Sequence, residues 1–260
     1  MSKLGVKRLG PVGLALATMT VPALGQGLFE DLFGVAKEVV KAAEDVVSPA
    51  TALSEAEEIE VGAAIAADFE SGVTLVDGAP LERCERLLAA LVPHVERTGI
   101  SYAVKVIQDS TINAYSFPGG HIYLPTGMVE FAQGRDAELM AILGHEVGHV
   151  DLGHCAARIQ NPYRASQLAG ELGMTITSLA QMLVTEPFHR DDEFAADSVG
   201  VVLMKKAGKN PQGAVSVQAR FAEMERAAGR GEWGLIELFR STHPQSRERK
   251  RRLEQQIGQE

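Results

Sequence analysis

Two cysteines, Cys84 and Cys155, are all that the 260 residues contain. That excludes a disulfide scaffold and an all-cysteine zinc site. Aromatic residues make up 5% of the chain, with a single Trp, too few for the stacking surfaces that hold bases or sugars. Positive charge is short: 25 Lys and Arg stand against 34 Asp and Glu, a formal charge of −9, so neither nucleic acid nor an anionic bilayer is an expected partner. Long apolar runs are missing too, because the longest candidate, Ala165–Val184, is interrupted by Gln167, Glu171 and Gln181. No internal repeat or low-complexity linker occurs. What remains, 45% hydrophobic and 23% charged, is the composition of a globular protein of one large domain or two small ones.

Residues 1–25 carry Lys3, Lys7 and Arg8 and no acid, then the apolar stretch Gly13–Val21, then Pro22-Ala23-Leu24-Gly25. A positive start, a short apolar centre and small residues at Ala23 and Gly25 are the three parts of a secretory signal, with cleavage expected after Gly25. Its removal takes the formal charge from −9 to −12 and implies export to an oxidising, periplasmic compartment, where Cys84 and Cys155 could pair. Residues 26–53 form an extension whose stripe Leu28, Leu32, Val35, Val39, Ala42 and Val46 predicts an amphipathic helix. Its polar face is acidic, which favours packing against the body over a membrane surface.

Residues 54–260 then read as one domain. Ser54 with Glu57 is a capping box opening a helix to about Glu70, and Leu81–Val95 predicts another. Tyr102–Val106 alternates as a strand, and Thr111–Val129 is strand-rich, broken at Pro118-Gly119-Gly120. Beyond it the pattern is helical: Asp136 as cap of a helix to about Ile159, then Asp191–Ala207, Gln212–Ala228 and Gln245–Ile257. The expected fold class is α+β, helix-rich, with a small sheet in the middle.

The chemistry sits in His145-Glu146-Val147-Gly148-His149. Spacing of four puts both imidazoles on one helical face, where their nitrogens can share a metal. Glu146 lies about 100° round the helix, beside the metal, placed to take a proton from water. Such a match arises by chance in roughly one chain per hundred of this length, so its context matters: Leu139, Ile142, Leu143, Val147 and Val150 make the segment an apolar-periodic helix. A catalytic zinc wants a third protein ligand, and His154, His189, Glu193 and His243 are the downstream candidates. The pattern HExxHxxGxxH fails, since His154 follows His149 by five residues instead of six. Glu193-Phe-Ala-Ala-Asp197 opens a second helix with both carboxylates on one face. Glu193 could complete a His-His-Glu site while Asp197 orients a ligating imidazole.

Taken together, these motifs resemble the zinc metallopeptidases that include CAAX prenyl endopeptidases, HtpX heat-shock proteases, mitochondrial Oma-type proteases and BepA/LoiP-like enzymes, peptidase family M48. The resemblance runs from about Ser54 to the C-terminus and rests on Asn113-Ala114 with Pro118-Gly119-Gly120 and Gly127, on HEVGH, on EFAAD, and on Thr242-His243-Pro244 with Arg249. It implies a zincin-like domain in which His145, His149 and Glu193 hold one zinc per chain, with Asp197 and Arg249 behind them. It implies that Asn113, Ala114, Gly119 and Gly120 belong to an edge strand flanking the active site, which binds substrate main chain by strand addition. His243 matches a family histidine close to the zinc, either a stabiliser of the oxyanion or a gate that displaces water. His154 is read as structural, and His121 and His189 as exposed or packing residues. The chain lacks the transmembrane helices of the HtpX and CAAX-type branches and resembles the exported branch. The expected function is zinc-dependent endopeptidase, with Glu146 as base and protein quality control in the cell envelope as its role. The alternative is a chaperone or outer-membrane assembly factor whose zinc site is gated or structural.

Overall fold

A computed structural model of the chain describes residues 52–169, 175–228, 243 and 246–258. All belong to one of the chain's two compact units, Val47–Glu260; the expected signal segment and amphipathic extension lie outside the described residues. Helix α1 (Glu55–Ser71) starts at the capping box: the Glu57 amide donates to Ser54 Oγ at 3.3 Å, and the Ser54 amide donates to Glu57 Oε2 at 2.9 Å. The next elements are β1 (Leu75–Val76), α2 (Ala79–Leu91), β2 (Ala103–Ile107), β3 (Tyr115–Phe117), β4 (His121–Pro125) and α3 (Thr126–Phe131). Six further helices follow, α4 (Asp136–Asp151), α5 (His154–Ala169), α6 (Ile176–Thr185), α7 (Arg190–Lys206), α8 (Gln212–Ala228) and α9 (Ser246–Gly258). The α+β, helix-rich architecture is as the sequence leads one to expect.

The four strands run in the order β1-β2-β4-β3, with β2 and β4 parallel and the other pairs antiparallel. Alternation decides which side chain goes where. Val104, Val106, Ile122 and Leu124 enter a core shared with α2, α4, α7 and α8, while Ile107, Tyr115, Phe117 and Tyr123 enter a second core under α1 and α6. Both faces are therefore covered. The turn between β3 and β4 needs its glycines, since Gly119 and Gly120 take φ of 77° and 90°. A Cβ on Gly62 of α1 would lie 2.0 Å from the Pro118 carbonyl oxygen, so the helix rests on the turn backbone.

Two expectations from the sequence are corrected by the fold. Asp136 does not cap α4: the flanking residue is Arg135, with no side-chain cap, and Asp136 instead holds Arg83 Nε at 2.7 Å. The helix expected to reach Ile159 stops at Asp151, because Gly153 takes φ of 74° and turns the chain out of the helical path before α5 begins. Cys84 and Cys155 are both free and buried in different clusters. Burial pushes their thiols up to about 11 and about 12 respectively.

The crossing of α4 over α7 positions the site. Its helices touch almost backbone to backbone: a Cβ on Gly144 would stand 3.1 Å from the Gly200 Cα, and one on Gly148 would stand 2.7 Å from the Ala196 carbonyl oxygen. Only small residues permit this approach. Gly148→Ala gains about 1 kcal/mol of helix propensity but must push two rigid backbones apart, at a cost of about 1–3 kcal/mol. A net fall in thermal stability with weaker metal binding is the expected result; an equally stable variant with unchanged metal affinity would show that the crossing has slack.

Candidate metal centre

Helix α4 is buried from Glu138 to Asp151, so His145, Glu146 and His149 face protein and not water. Their imidazoles meet Glu193 from the first turn of α7. His145 Nε2 and His149 Nε2 are 3.1 Å apart, and the Glu193 carboxylate lies 3.6 Å from the former and 3.3 Å from the latter. His243 joins them, with Nδ1 at 3.1 Å from Glu193 Oε1 and 3.4 Å from His145 Nε2. One ligand atom from each of these four residues falls within 4.8 Å of the others.

The surroundings fix which atoms face inward. Asp197 Oδ1 sits 3.0 Å from His145 Nδ1, an acceptor that favours the proton on Nδ1 and turns the Nε2 lone pair toward the centre, where Arg249 Nη2 also approaches it to 3.3 Å. The two Nε2 atoms and the Glu193 oxygens are then acceptors crowded together. Such a donor set fits a bound metal ion, whose positive charge removes the repulsion. Burial favours the uncharged form of His149 and lowers its pKa well below the ordinary value, which suits a ligand that must be unprotonated. Glu146 adds a further mark: its Oε2 is buried and has no hydrogen-bond partner, while Oε1 lies 3.9 Å from His243 Nε2.

Behind the centre stands Arg249 of α9, only 2% exposed. Its Nε donates to Asp197 Oδ2 and its Nη2 to Oδ1, both at 2.7 Å, and its Nη1 lies 2.6 Å from Glu193 Oε2. Burial alone would raise the Asp197 carboxyl, but the guanidinium outweighs it and brings the group down to about 2. Glu193 is likewise held well below the carboxylate range, with His243 and Arg249 overcoming its burial. For His243 the opposite balance holds. Burial disfavours its charge, yet the neighbouring Glu193 carboxylate raises its pKa.

The structure thus gathers His145, Glu146, His149, Glu193, Asp197, His243 and Arg249 around one point, from four separate stretches of chain. Thr242 and Pro244, named with His243 in the sequence motif, lie outside the described residues. Ala114 lines a cavity beside His145 and Glu146 that is walled mainly by Met128, Ile142, Val201 and Phe221. Asn113 is buried next to it. Gly119 and Gly120 are placed elsewhere, in the turn beyond β3. A Cβ on Gly119 would stand 3.3 Å from the Ile59 Cα of α1 and one on Gly120 2.6 Å from the Ser101 carbonyl oxygen, so neither position has room for a side chain. His121 is half-buried and His189 exposed. Sequence reasoning weighs His154 as a third metal ligand and reads it as structural; the structure sets its Nδ1 3.0 Å from His149 Nδ1. The stop at Gly153 is the signal that leads to it, because in an unbroken helix a residue five positions on would face elsewhere.

A model of peptidase family M48 matches residues 80–257. The chain belongs to peptidase family M48. Among its relatives, the mitochondrial metalloendopeptidase OMA1 of Schizosaccharomyces pombe is 29% identical over 180 residues, 65% of this chain and 51% of the relative. The metalloprotease YcaL of Escherichia coli is 27% identical over 188 residues, 68% of this chain and 70% of the relative. The β-barrel assembly-enhancing protease of the same organism is 22% identical over 173 residues, 59% of this chain and 34% of the relative. The chain thus spans about half the length of the fission-yeast OMA1 protein and about a third of the assembly-enhancing protease. Among the described residues of this M48 domain, no helix is long and apolar enough to cross a membrane.

Proposed function

We propose that this M48 chain is an exported zinc metalloendopeptidase acting on proteins of the cell envelope. The observation that carries the reading is the convergence of two imidazole Nε2 atoms and the Glu193 carboxylate, with the unpartnered Glu146 carboxylate oxygen beside them. His145, His149 and Glu193 would hold the zinc. When bound, the ion supplies Lewis acidity toward the scissile carbonyl and toward water. Glu146 takes the proton from the attacking water and delivers it to the leaving amine. Asp197 keeps His145 in the ligating tautomer, and Arg249 keeps both Asp197 and Glu193 charged. Asn113 and Ala114, the latter lining the cavity beside Glu146, lead into β3, the edge strand along which an extended substrate would add. The first 25 residues act as the export signal, which places the enzyme in the periplasm. Misfolded envelope proteins are the expected substrates, in keeping with the name of the assembly-enhancing relative. Elemental analysis of the purified protein should find about one zinc per chain; a metal-free preparation unable to take up zinc would remove the reading. Envelope proteins accumulating in a strain carrying an inactive copy, identified by mass spectrometry against wild type, would then name the substrates.

The position of His243 supports a second reading, a chaperone or assembly factor with a closed site. It lies close enough to Glu193 to complete a four-ligand set, and a fourth protein ligand leaves a zinc no open position for chemistry. Measuring casein cleavage by His243→Ala separates the two. A several-fold rise identifies a gate, a fall identifies an oxyanion stabiliser, and an unchanged rate removes both roles.

A further inference from the structure

The imidazole of His149 is held from two sides by groups that belong to neither the metal-facing set nor the Arg249 cluster. Phe188 stacks on its face, with ring centroids 3.8 Å apart and planes inclined by 18°. At its edge, Nδ1 meets His154 Nδ1 at 3.0 Å, while the far nitrogen of His154, Nε2, lies 3.5 Å from Asp192 Oδ1. His154 reaches this place because α4 ends at Asp151 and Gly153 redirects the chain, so the first residue of α5 folds back beside the last turn of α4.

Two facing ring nitrogens at 3.0 Å must share one proton, and the surroundings say which carries it. If His154 Nδ1 were the donor, His149 Nδ1 would be the acceptor and its proton would sit on Nε2. That proton would point at His145 Nε2, 3.1 Å away, and His149 could hold no metal. With the proton on His149 Nδ1, the Nε2 lone pair faces the centre, His154 Nδ1 accepts, and the His154 proton on Nε2 points toward the Asp192 carboxylate. The outer nitrogen of His154 then has a carboxylate oxygen 3.5 Å away. The two metal-facing imidazoles are thus oriented by different chemistry: His145 by the buried carboxylate of Asp197, His149 by a neutral imidazole backed by a half-exposed carboxylate.

We propose that His154 is a positioning residue of the metal centre, accepting the Nδ1 proton of His149 and thereby fixing the Nε2 lone pair for zinc. The inference rests on the reading of His149 as a metal ligand. Its consequence is quantitative, because removing the outer hydrogen-bond partner of a ligating histidine lowers metal affinity about 10–100-fold. An acceptor is what the position requires. A side chain that fills the space without a lone pair fails, and one with a carbonyl oxygen within reach succeeds.

The test measures zinc affinity of the full chain by competition with a chromophoric chelator, for wild type, His154→Phe and His154→Gln. His154→Phe is expected to weaken zinc binding about 10–100-fold, and His154→Gln to recover most of that loss. Equal affinity for wild type and the Phe variant would overturn the proposal. So would a Gln variant as weak as the Phe variant, which would mean that packing alone matters. Wild-type protein that binds no zinc would instead overturn the reading of the centre itself, a separate outcome. Should His154→Phe fail to fold, nitrogen-15 spectra of the wild-type histidine rings with zinc bound decide the matter. The proposal requires His149 protonated at Nδ1 and His154 at Nε2, and His154 protonated at Nδ1 overturns it.

Discussion

Glu146→Gln is expected to lower the rate of casein cleavage about 10²–10⁴-fold, the range that a positioned general base contributes, while zinc content and melting temperature stay as in wild type. The substitution keeps the shape of the side chain and removes only its capacity to take a proton. Glu146 Oε2 has no hydrogen-bond partner, so no buried bond to that atom is lost, and the residues facing the metal position are untouched. The effect should fall on kcat, with KM little altered, because the base acts in the transition state. A variant retaining more than about a tenth of the wild-type rate would contradict the assigned role, since even the weakest case of general base catalysis exceeds that.

Arg249→Met is the most damaging single change expected for the fold. The Met side chain keeps much of the apolar stem and removes the charge, leaving the buried Asp197 and Glu193 carboxylates without their guanidinium. Breaking a buried ion pair from one side costs about 3–5 kcal/mol, and urea unfolding of the metal-free protein at pH 7 should show a loss of that size. The pH dependence has a definite sign. Asp197 titrates at about 2 in the folded protein against an ordinary 3.8, so its contribution is fully present above about 4 and is lost as the pH falls through about 2. The gap between wild type and variant should therefore narrow across that window. A gap that is absent at pH 7, or that widens in acid, would show that the clamp does not stabilise the fold.

Much of this site is legible in the sequence because helical spacing is a local property. His145 and His149 share a face whatever surrounds them, and so do Glu193 and Asp197. The capping box at Ser54 and Glu57 is equally local. What composition and periodicity do not supply is the meeting of distant pieces. That α4 and α7 cross at Gly144 and Gly200, or that Arg249 reaches across to both carboxylates, depends on three-dimensional packing that spacing along one chain does not reveal; only the resemblance points to Arg249. The turn is legible in part: Pro118-Gly119-Gly120 marks a break in the strand-rich stretch, but that α1 packs on the turn backbone through Gly62 is again a matter of distant contact. A helix drawn through to Ile159 misses a stop made by a single positive φ at Gly153, and with it the placement of His154.

The guanidinium that charges the centre comes from α9, the last helix of the described residues, and joins Asp197 across 52 positions of sequence. During synthesis, α4 and α7 leave the ribosome well before their counter-ion does. Until α9 docks, the Asp197 and Glu193 carboxylates lack the cation beside them, so full formation of the centre waits on the last of the described helices.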